Sequence, residues 1–347
     1  MYLEVDPDRG NVDVSDRTPS ITVKDLTKVY EPSPTWMKLL VKSNIKNAVV
    51  ALDGITFEVG PGEICAVVGP NGAGKTTSFR ILLGLTTPSS GTATVGGYDA
   101  QHESVAVRRM VGWMPGQDVS LLGRLTCVEN LRFHGRLQGL KGDELKGRIY
   151  DSLAKVGLSH AAEHSVFALS SGMRARLQLA RALLHSPSVL ILDEPTGAID
   201  PVAAHELLGL IISIVEEERL ACMISSHRLE EIEALHSHVV LLDKGRIRYD
   251  GDLDELRDLV DREQLEIEFR SDESARQARK LIDAAGLGES ITVEGSQLTT
   301  VLASSETTTG EVLAALETVI PDVVHLQEVQ RPLRDILADM YRESQGK

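Results

Sequence analysis

Positive charge is what this 347-residue chain is short of: 36 Lys and Arg stand against 51 Asp and Glu, a formal net charge of −15. Phosphate backbones demand a basic face, so a general affinity for nucleic acid is excluded, although a local basic patch is not. Long apolar runs are missing too. The longest, residues 207–215, is broken by Gly209 and Ser213 and reads as a buried helix rather than a membrane span. The acidic N-terminus has no apolar core and does not read as a secretory signal. Cysteine is scarce, and Cys65, Cys127 and Cys222 stand far apart in no metal-binding spacing. Cys65 and Cys222 lie in strand-like apolar runs, which fits buried thiols in a reducing cytosol. There is no internal repeat and no low-complexity tract. What remains, 42% hydrophobic and 25% charged residues, is the composition of a soluble globular protein. Its length predicts two domains.

The most informative stretch is Gly69-Pro70-Asn71-Gly72-Ala73-Gly74-Lys75-Thr76-Thr77, which meets the pattern G-x-x-x-x-G-K-[ST]. The apolar run Ile64–Val68 before it reads as a buried strand, and residues 78–85 after it as a helix. A strand, loop and helix in that order turn backbone N–H groups around an anion at the positive end of a helix. Gly72 and Gly74 are expected to let the main chain approach phosphate oxygens with no Cβ in the way. Lys75 is expected to reach the β- and γ-phosphates, and the Thr76 hydroxyl to ligate Mg²⁺. An accidental glycine-rich turn would lack this frame.

Residues 1–20 are polar and acidic and read as a flexible segment. Strands are expected at 21–23 and 51–59. Between them, the stretch 31–48 projects Trp36, Met37, Leu39 and Leu40 to one side of a helix and Lys38, Lys42 and Lys46 to the other. Such a helix can lie on a membrane surface or pack on its own domain, and both readings stay open. Residues 104–184 look mostly helical, 188–192 and 220–225 strand-like, and 239–242 with 246–249 form a hairpin. Strands alternating with helices imply an α/β core with a largely parallel sheet over residues 21–255. A charged helix is expected at 252–262. After it, residues 263–347 read as a small domain with the β-α-β-β-α-β order of a ferredoxin-like fold and a last helix at 333–341.

The strand 188–192 ends in Asp193-Glu194-Pro195. In a parallel sheet, ligands gather at the carboxyl ends of strands, which brings these acids near Lys75 and Thr76. Asp193 suits Mg²⁺ coordination through a water or from the second layer of ligands, and Glu194 suits polarising a water that attacks the γ-phosphate. An Asp-Glu pair by itself is usually a solvated turn; its place after an apolar strand favours catalysis.

With these residues in hand, the chain resembles the nucleotide-binding subunits of ATP-binding cassette (ABC) transporters over roughly residues 20–255. That resemblance implies a P-loop α/β domain with a helical subdomain near 104–184, an ATPase activity, and ATP and Mg²⁺ as ligands. The loop Leu169-Ser170-Ser171-Gly172-Met173 resembles the family's L-S-G-G-Q signature, which binds the γ-phosphate held by the opposite subunit. It departs from it at Ser171 and Met173, and Ser-Ser-Gly-Met resembles polysaccharide exporters in particular. His227 is similar to the switch histidine, Asp200 to the loop that crosses to the partner subunit, and Tyr30 to the aromatic that stacks on adenine. In place of the usual Pro-Gln step stands Pro115-Gly116-Gln117, and family spacing lands on Gln117 as the coupling and Mg²⁺-sensing residue.

The resemblance further implies a head-to-tail dimer around two ATP molecules, a homodimer or a pairing with another ATPase subunit, a separate membrane permease, and a place on the cytoplasmic membrane face. The C-terminal domain resembles the accessory domain of drug and lipid exporter ATPases. Cargo is expected among drugs, lipids and polysaccharides. The alternative is a soluble ABC ATPase acting on ribosomes or nucleic acid, which the single phosphate loop and the absence of a coiled-coil or zinc insertion count against.

Overall fold

The computed structural model describes residues 20–32, 47–116, 121–226, 228–235, 237–253, 255–256, 264–303 and 307–329. Most of the 31–48 stretch, Gln117, His227 and the helix expected at 333–341 lie outside these residues. The chain divides into two compact units after Leu253.

In the first unit, β1 (Ile21–Tyr30) and β2 (Val49–Val59) pair antiparallel and lead to β3 (Ile64–Val68). All five residues of β3 are buried, as expected of a strand covered on both faces. The phosphate-loop motif follows and opens α1 (Lys75–Leu82). Then come β4 (Ser90–Val95), β5 (Tyr98–Asp99), α2 (Ser104–Met110) and β6 (Val111–Met114). Helices α3 (Cys127–Leu137), α4 (Gly142–Lys155) and α5 (Ser171–Leu183) precede β7 (Val189–Asp193). The unit closes with α6 (Pro201–Glu218), β8 (Ala221–Ser226), α7 (Leu229–Leu235), β9 (His238–Asp243) and β10 (Arg246–Asp252).

Six of these strands form one sheet in the order β10-β9-β3-β8-β7-β6, parallel except for β10. Strands β2, β1, β4 and β5 form a second, antiparallel sheet. One core joins them: Leu26, Leu52 and Val95 from the smaller sheet, Val67, Ile191 and Met223 from the larger, and Phe79 and Leu82 from α1. The apolar run at 207–215 is indeed inside a helix, α6, with Leu207, Leu208, Ile211, Ile214 and Val215 buried.

Several elements differ from expectation. Helix α1 begins at Lys75, three residues early, because Gly74 takes a left-handed φ of 115° and serves as its N-cap. The stretch 104–184 contains the strand β6, and β4 and β5 have no counterpart in the apolar pattern. Their segments are rich in Gly, Ser and Thr or only a few residues long, so no period emerges. Residues 246–252 extend the closing strand to Asp252, where a helix was expected to begin.

The second unit runs β11 (Gln264–Phe269), α8 (Asp272–Ala285), β12 (Gly288–Glu294), β13 (Gln297–Leu302), α9 (Thr309–Ala315) and β14 (Val323–Val329). Its antiparallel sheet has the order β12-β13-β11-β14, which is that of the ferredoxin-like arrangement. Alternate residues Leu265, Ile267 and Phe269 pack with Ala275, Ala278 and Ile282 of α8 and Val312 of α9. Helix α9 stops at Ala315, short of the expected 319, ahead of a 3₁₀ turn at Ile320–Asp322 that holds Pro321.

Candidate functional site

The carboxyl ends of β3, β7 and β8 meet because the three strands are neighbours in parallel register, with Val68 opposite Ser226 and Asp193 opposite Ser225. That geometry gathers Lys75, Thr76, Asp193, Glu194 and Ser225. Thr76 Oγ1 stands 3.5 Å from Asp193 Oδ2, while Ser225 Oγ donates to Asp193 Oδ1 at 2.7 Å. Lys75 is 6% exposed, and its Nζ donates to the carbonyl oxygens of Gly69 (2.6 Å) and Pro70 (3.3 Å). Burial pushes its ammonium below the ordinary lysine range, and the nearby charges of Glu194 and Asp193 pull it back up.

Of the other loop residues, Pro70 and Asn71 are exposed, Ala73 is buried and hydrogen-bonds Pro70, and Thr77 is half-buried in the first turn of α1. The two glycines differ in their surroundings. Gly72 has φ 84° and open space where a Cβ would stand. At Gly74 a Cβ would lie 2.6 Å from the Ala51 carbonyl oxygen, so this glycine is demanded by β2 beneath the loop.

Glu194 also sits at φ 49°, a left-handed conformation for a residue with a side chain. Such strain costs about 1–3 kcal/mol and persists where the surroundings over-determine it. Here its N–H donates to both the carbonyl (3.2 Å) and the hydroxyl (3.0 Å) of Ser225. Gly116 approaches from β6: a Cβ there would lie 2.7 Å from the Asp193 carbonyl oxygen. The residue that makes the Pro115-Gly116-Gln117 step irregular is therefore the one that lets this loop lie against the end of β7.

The signature-like loop opens α5. Ser170 is its N-cap, accepting from Met173 N at 3.2 Å, and Ser171, Gly172 and Met173 form the partly exposed first turn. Asp200 caps α6 in the same way, accepting from Ala203 N at 3.0 Å, with Pro201 at the first helical position. These two first turns touch, since a Cβ on Gly172 would stand 3.0 Å from that of Ala203. A small cavity of about 50 Å³ is bordered by Gly116, Ser171, Glu194 and Ala198, so three of the expected loops share one space. Tyr30 stands apart in character: it ends β1 opposite Val49, with Lys28 Nζ 5.0 Å from its ring centroid.

Sequence reasoning missed Ser225 and Glu231. Ser225 looked like the tail of an apolar strand, and Glu231 like one acid among several on a helix. Glu231 is 8% exposed and accepts from Thr196 Oγ1 and Ser226 Oγ, both at 2.6 Å. The signal for Ser225 lay in strand alternation, which points it and Ser226 to opposite faces.

Mg²⁺ is bound by hard oxygen ligands, few of them from protein, and Thr76 with Asp193 offers such a pair facing the loop. Among the described residues no cluster of three or more His, Cys, Asp or Glu could hold a metal unaided. The pair therefore fits a cation shared with a phosphate. No helix among the described residues is long and apolar enough to cross a membrane.

A second surface lies where β6 meets α3 and α5. A cavity of about 230 Å³ is walled by Leu85, Trp113, Leu184, Arg181, His134 and His185 among others. Trp113 is 38% exposed, and Leu137 and Phe133 on α3 are exposed as well. Burial holds the His185 imidazole below its usual pKa, and its Nε2 is buried without a hydrogen-bond partner.

The ABC transporter family profile matches residues 52–197. The chain is 34% identical over 226 residues to the ABC transporter ATP-binding protein NatA of Bacillus subtilis, covering 65% of this chain and 92% of that one. It is 38% identical over 212 residues to the doxorubicin resistance ATP-binding protein DrrA of Mycobacterium tuberculosis, covering 61% of this chain and 63% of that one. Among solved structures it resembles a dimeric ATP-binding cassette in a post-hydrolysis state bound to ADP and Pi. That likeness has a TM-score of 0.57 at 23% identity, over 67% of this chain and 98% of the cassette, and bears on the fold. With a phosphate loop at the end of β3 and two carboxylates at the end of β7, this chain belongs to the ATP-binding proteins of ABC transporters and is an ATPase.

Proposed function

We propose that two copies of this chain pair head to tail around two ATP molecules and drive export through a separate membrane permease. The observation that carries the reading is the meeting of Lys75, Thr76 and Asp193 beside a strained Glu194. In it, the backbone N–H groups of Asn71, Gly72, Gly74, Lys75 and Thr76 and the Lys75 ammonium bind the β- and γ-phosphates. Ser170, Ser171, Gly172 and Met173 of one copy close on the γ-phosphate held by the other, and Asp200 crosses the same interface. Tyr30 stacks on adenine.

Glu194 orients the attacking water and accepts its proton, and His227 contacts the γ-phosphate. Thr76 and Asp193, with Gln117 in the sensing role, would hold Mg²⁺, which when bound would neutralise charge on the phosphates. Ser225 fixes Asp193 from behind through its 2.7 Å bond. The groove at Trp113 receives the permease, with Gln117 as the coupling residue, and stations the ATPase on the cytoplasmic membrane face. The name of the doxorubicin resistance relative favours transport over a soluble role on ribosomes or nucleic acid. Cargo belongs to the drug, lipid or polysaccharide classes, and the 263–347 region forms an accessory domain.

The reading is tested by Glu194→Gln. ATP binding should persist while turnover falls about a hundredfold or more, the usual worth of a positioned base. Wild-type turnover in that variant would sink the assignment. Affinity purification after gentle solubilisation should bring down a multi-span membrane protein in near-equal amount.

A further inference from the structure

Behind the end of β7, on the face of β8 opposite the phosphate loop's partners, lies a closed polar knot centred on Glu231. Adjacent strand residues face opposite sides of a sheet. Ser225 accordingly turns toward Asp193 and Glu194, and Ser226 turns toward α7 and Glu231. One oxygen of Glu231, Oε2, accepts from both Ser226 Oγ and Thr196 Oγ1 at 2.6 Å. The other, Oε1, pairs with Arg228 Nη1 at 3.2 Å, and Arg228 N donates to Ser226 Oγ at 3.0 Å. A carboxylate that is 8% exposed is costly to bury, and here two hydroxyls and a guanidinium satisfy it.

The knot joins two segments that sequence keeps 35 residues apart: the turn after β7, through Thr196, and the end of β8 with the start of α7. Thr196 is two residues beyond Glu194, whose left-handed backbone needs anchoring on both sides. On the near side, Ser225 accepts twice from Glu194 N. On the far side the turn is closed by Gly197 N to Glu194 O at 3.1 Å, and its side-chain tether is Thr196 to Glu231. Among the described residues, the turn's side-chain hydrogen bond between Pro195 and Ile199 is this one, and it runs to α7.

We propose that Glu231 is a positioning residue for ATP hydrolysis: through Thr196 it holds the β7 turn so that Glu194 keeps its strained backbone and its aim at the reacting water. The proposal rests on the reading of Glu194 as the hydrolytic base. Glu231 itself touches neither nucleotide nor water, and acts through the turn that Thr196 tethers. A displacement of about 1 Å in a catalytic group is enough for roughly a hundredfold loss.

The test is steady-state ATPase kinetics on the full chain. Glu231→Ala should lower kcat about ten- to a hundredfold with KM for ATP within about twofold of wild type. Glu231→Gln retains a carbonyl oxygen for both hydroxyls and should keep most of kcat. Thr196→Val should reproduce much of the Glu231→Ala loss, and Thr196→Ser should restore it. A merely structural carboxylate would instead lower thermal stability and ATP binding together, which direct ATP titration of Glu231→Ala in a Glu194→Gln background reports without turnover. Unchanged kcat in Glu231→Ala, or a loss matched by lost binding, overturns the proposal. If Glu194→Gln alone keeps wild-type turnover, the reading of the base has failed, a result separable from either outcome at Glu231.

Discussion

The two ends of the six-stranded sheet are built from the same groups and used in opposite ways. At the amino-terminal end, His238 lies between Glu63 (Nδ1 to Oε1, 2.7 Å) and Asp250 (Nε2 to Oδ1, 2.5 Å). The bond to Glu63 leads in raising its pKa to about 9, so at neutral pH an imidazolium stands between two carboxylates. Beside it Cys65 and Cys222 are fully buried, and burial pushes both thiols up, that of Cys222 to about 12. Every charge there is answered by its neighbours. At the carboxyl end, Lys75 faces two carboxylates as well, yet it donates its hydrogen bonds to the backbone carbonyls of Gly69 and Pro70. A cation paired within the protein braces it; a cation left on carbonyls keeps its charge for a ligand.

The largest expected effect follows from spending that charge. Lys75→Ala should weaken ATP binding about ten- to a hundredfold, the worth of roughly 1.5–3 kcal/mol for a charge-assisted contact. Nucleotide titration checks it, and an affinity equal to wild type would erase the contrast between the two ends. Stability should change little or rise, since the variant removes a buried ammonium with no carboxylate bonded to it.

A middle effect is expected at Gly116, where the loop after β6 presses on β7. Gly116→Ala sets a methyl 2.7 Å from the Asp193 carbonyl oxygen, so one of the two segments must shift. Turnover should fall about tenfold while ATP affinity holds, because the shift falls on the carboxylates and leaves the phosphate loop in place. Gly147→Ala on α4 is the control: a Cβ there has open space, and neither kinetics nor stability should suffer. Equal kinetics in the two variants would mean that the Gly116 contact does not reach the site.

Much of the carboxyl end was legible before folding. The strand Ile64–Val68 is the one the apolar run delimits, and Asp193-Glu194 sits at the end of a strand as the motif order requires. These features are local, so sequence neighbours announce them. What escaped is long-range or unpatterned. Ser225 and Glu231 act on residues 31 to 35 positions away, and neither belongs to a motif of its own. Strand β4 carries too few apolar residues, and β5 and β6 are too short, to show a period. Ser170 and Asp200 show a different gap: beside the roles proposed across a dimer, each caps a helix in its own chain. An Asp followed by Pro at a helix start already carries that capping signal. The small unit was legible because its alternation in β11 and its two capped helices are again local.

The smallest effect belongs to the amino end, and its sign follows from the raised pKa. His238 binds its proton more tightly folded (about 9) than unfolded (about 6.5), so the brace contributes fully below pH 6.5. Its contribution fades as pH rises and is gone above about 9. Glu63, held below its ordinary value by the hydrogen bond to His238 despite burial, works the other way. Its share is present above the unfolded carboxylate pKa and is lost as pH falls through the folded one. Stability from this cluster should therefore plateau between about pH 5 and 6.5 and decline on both sides. Because Glu63 and Asp250 are more than a third exposed, solvent screening limits the brace to about 1 kcal/mol. Chemical denaturation of wild type and His238→Gln across pH 5–9.5 reads this directly: the two curves should differ at pH 6 and converge above pH 9. Basal ATPase at pH 7 should be nearly the same in both, since the brace lies at the end of the sheet away from the phosphate loop. A constant gap across the whole range would show that His238 stabilises by shape rather than charge, and the contrast between a cation that braces and a cation that binds would then rest on Lys75 alone.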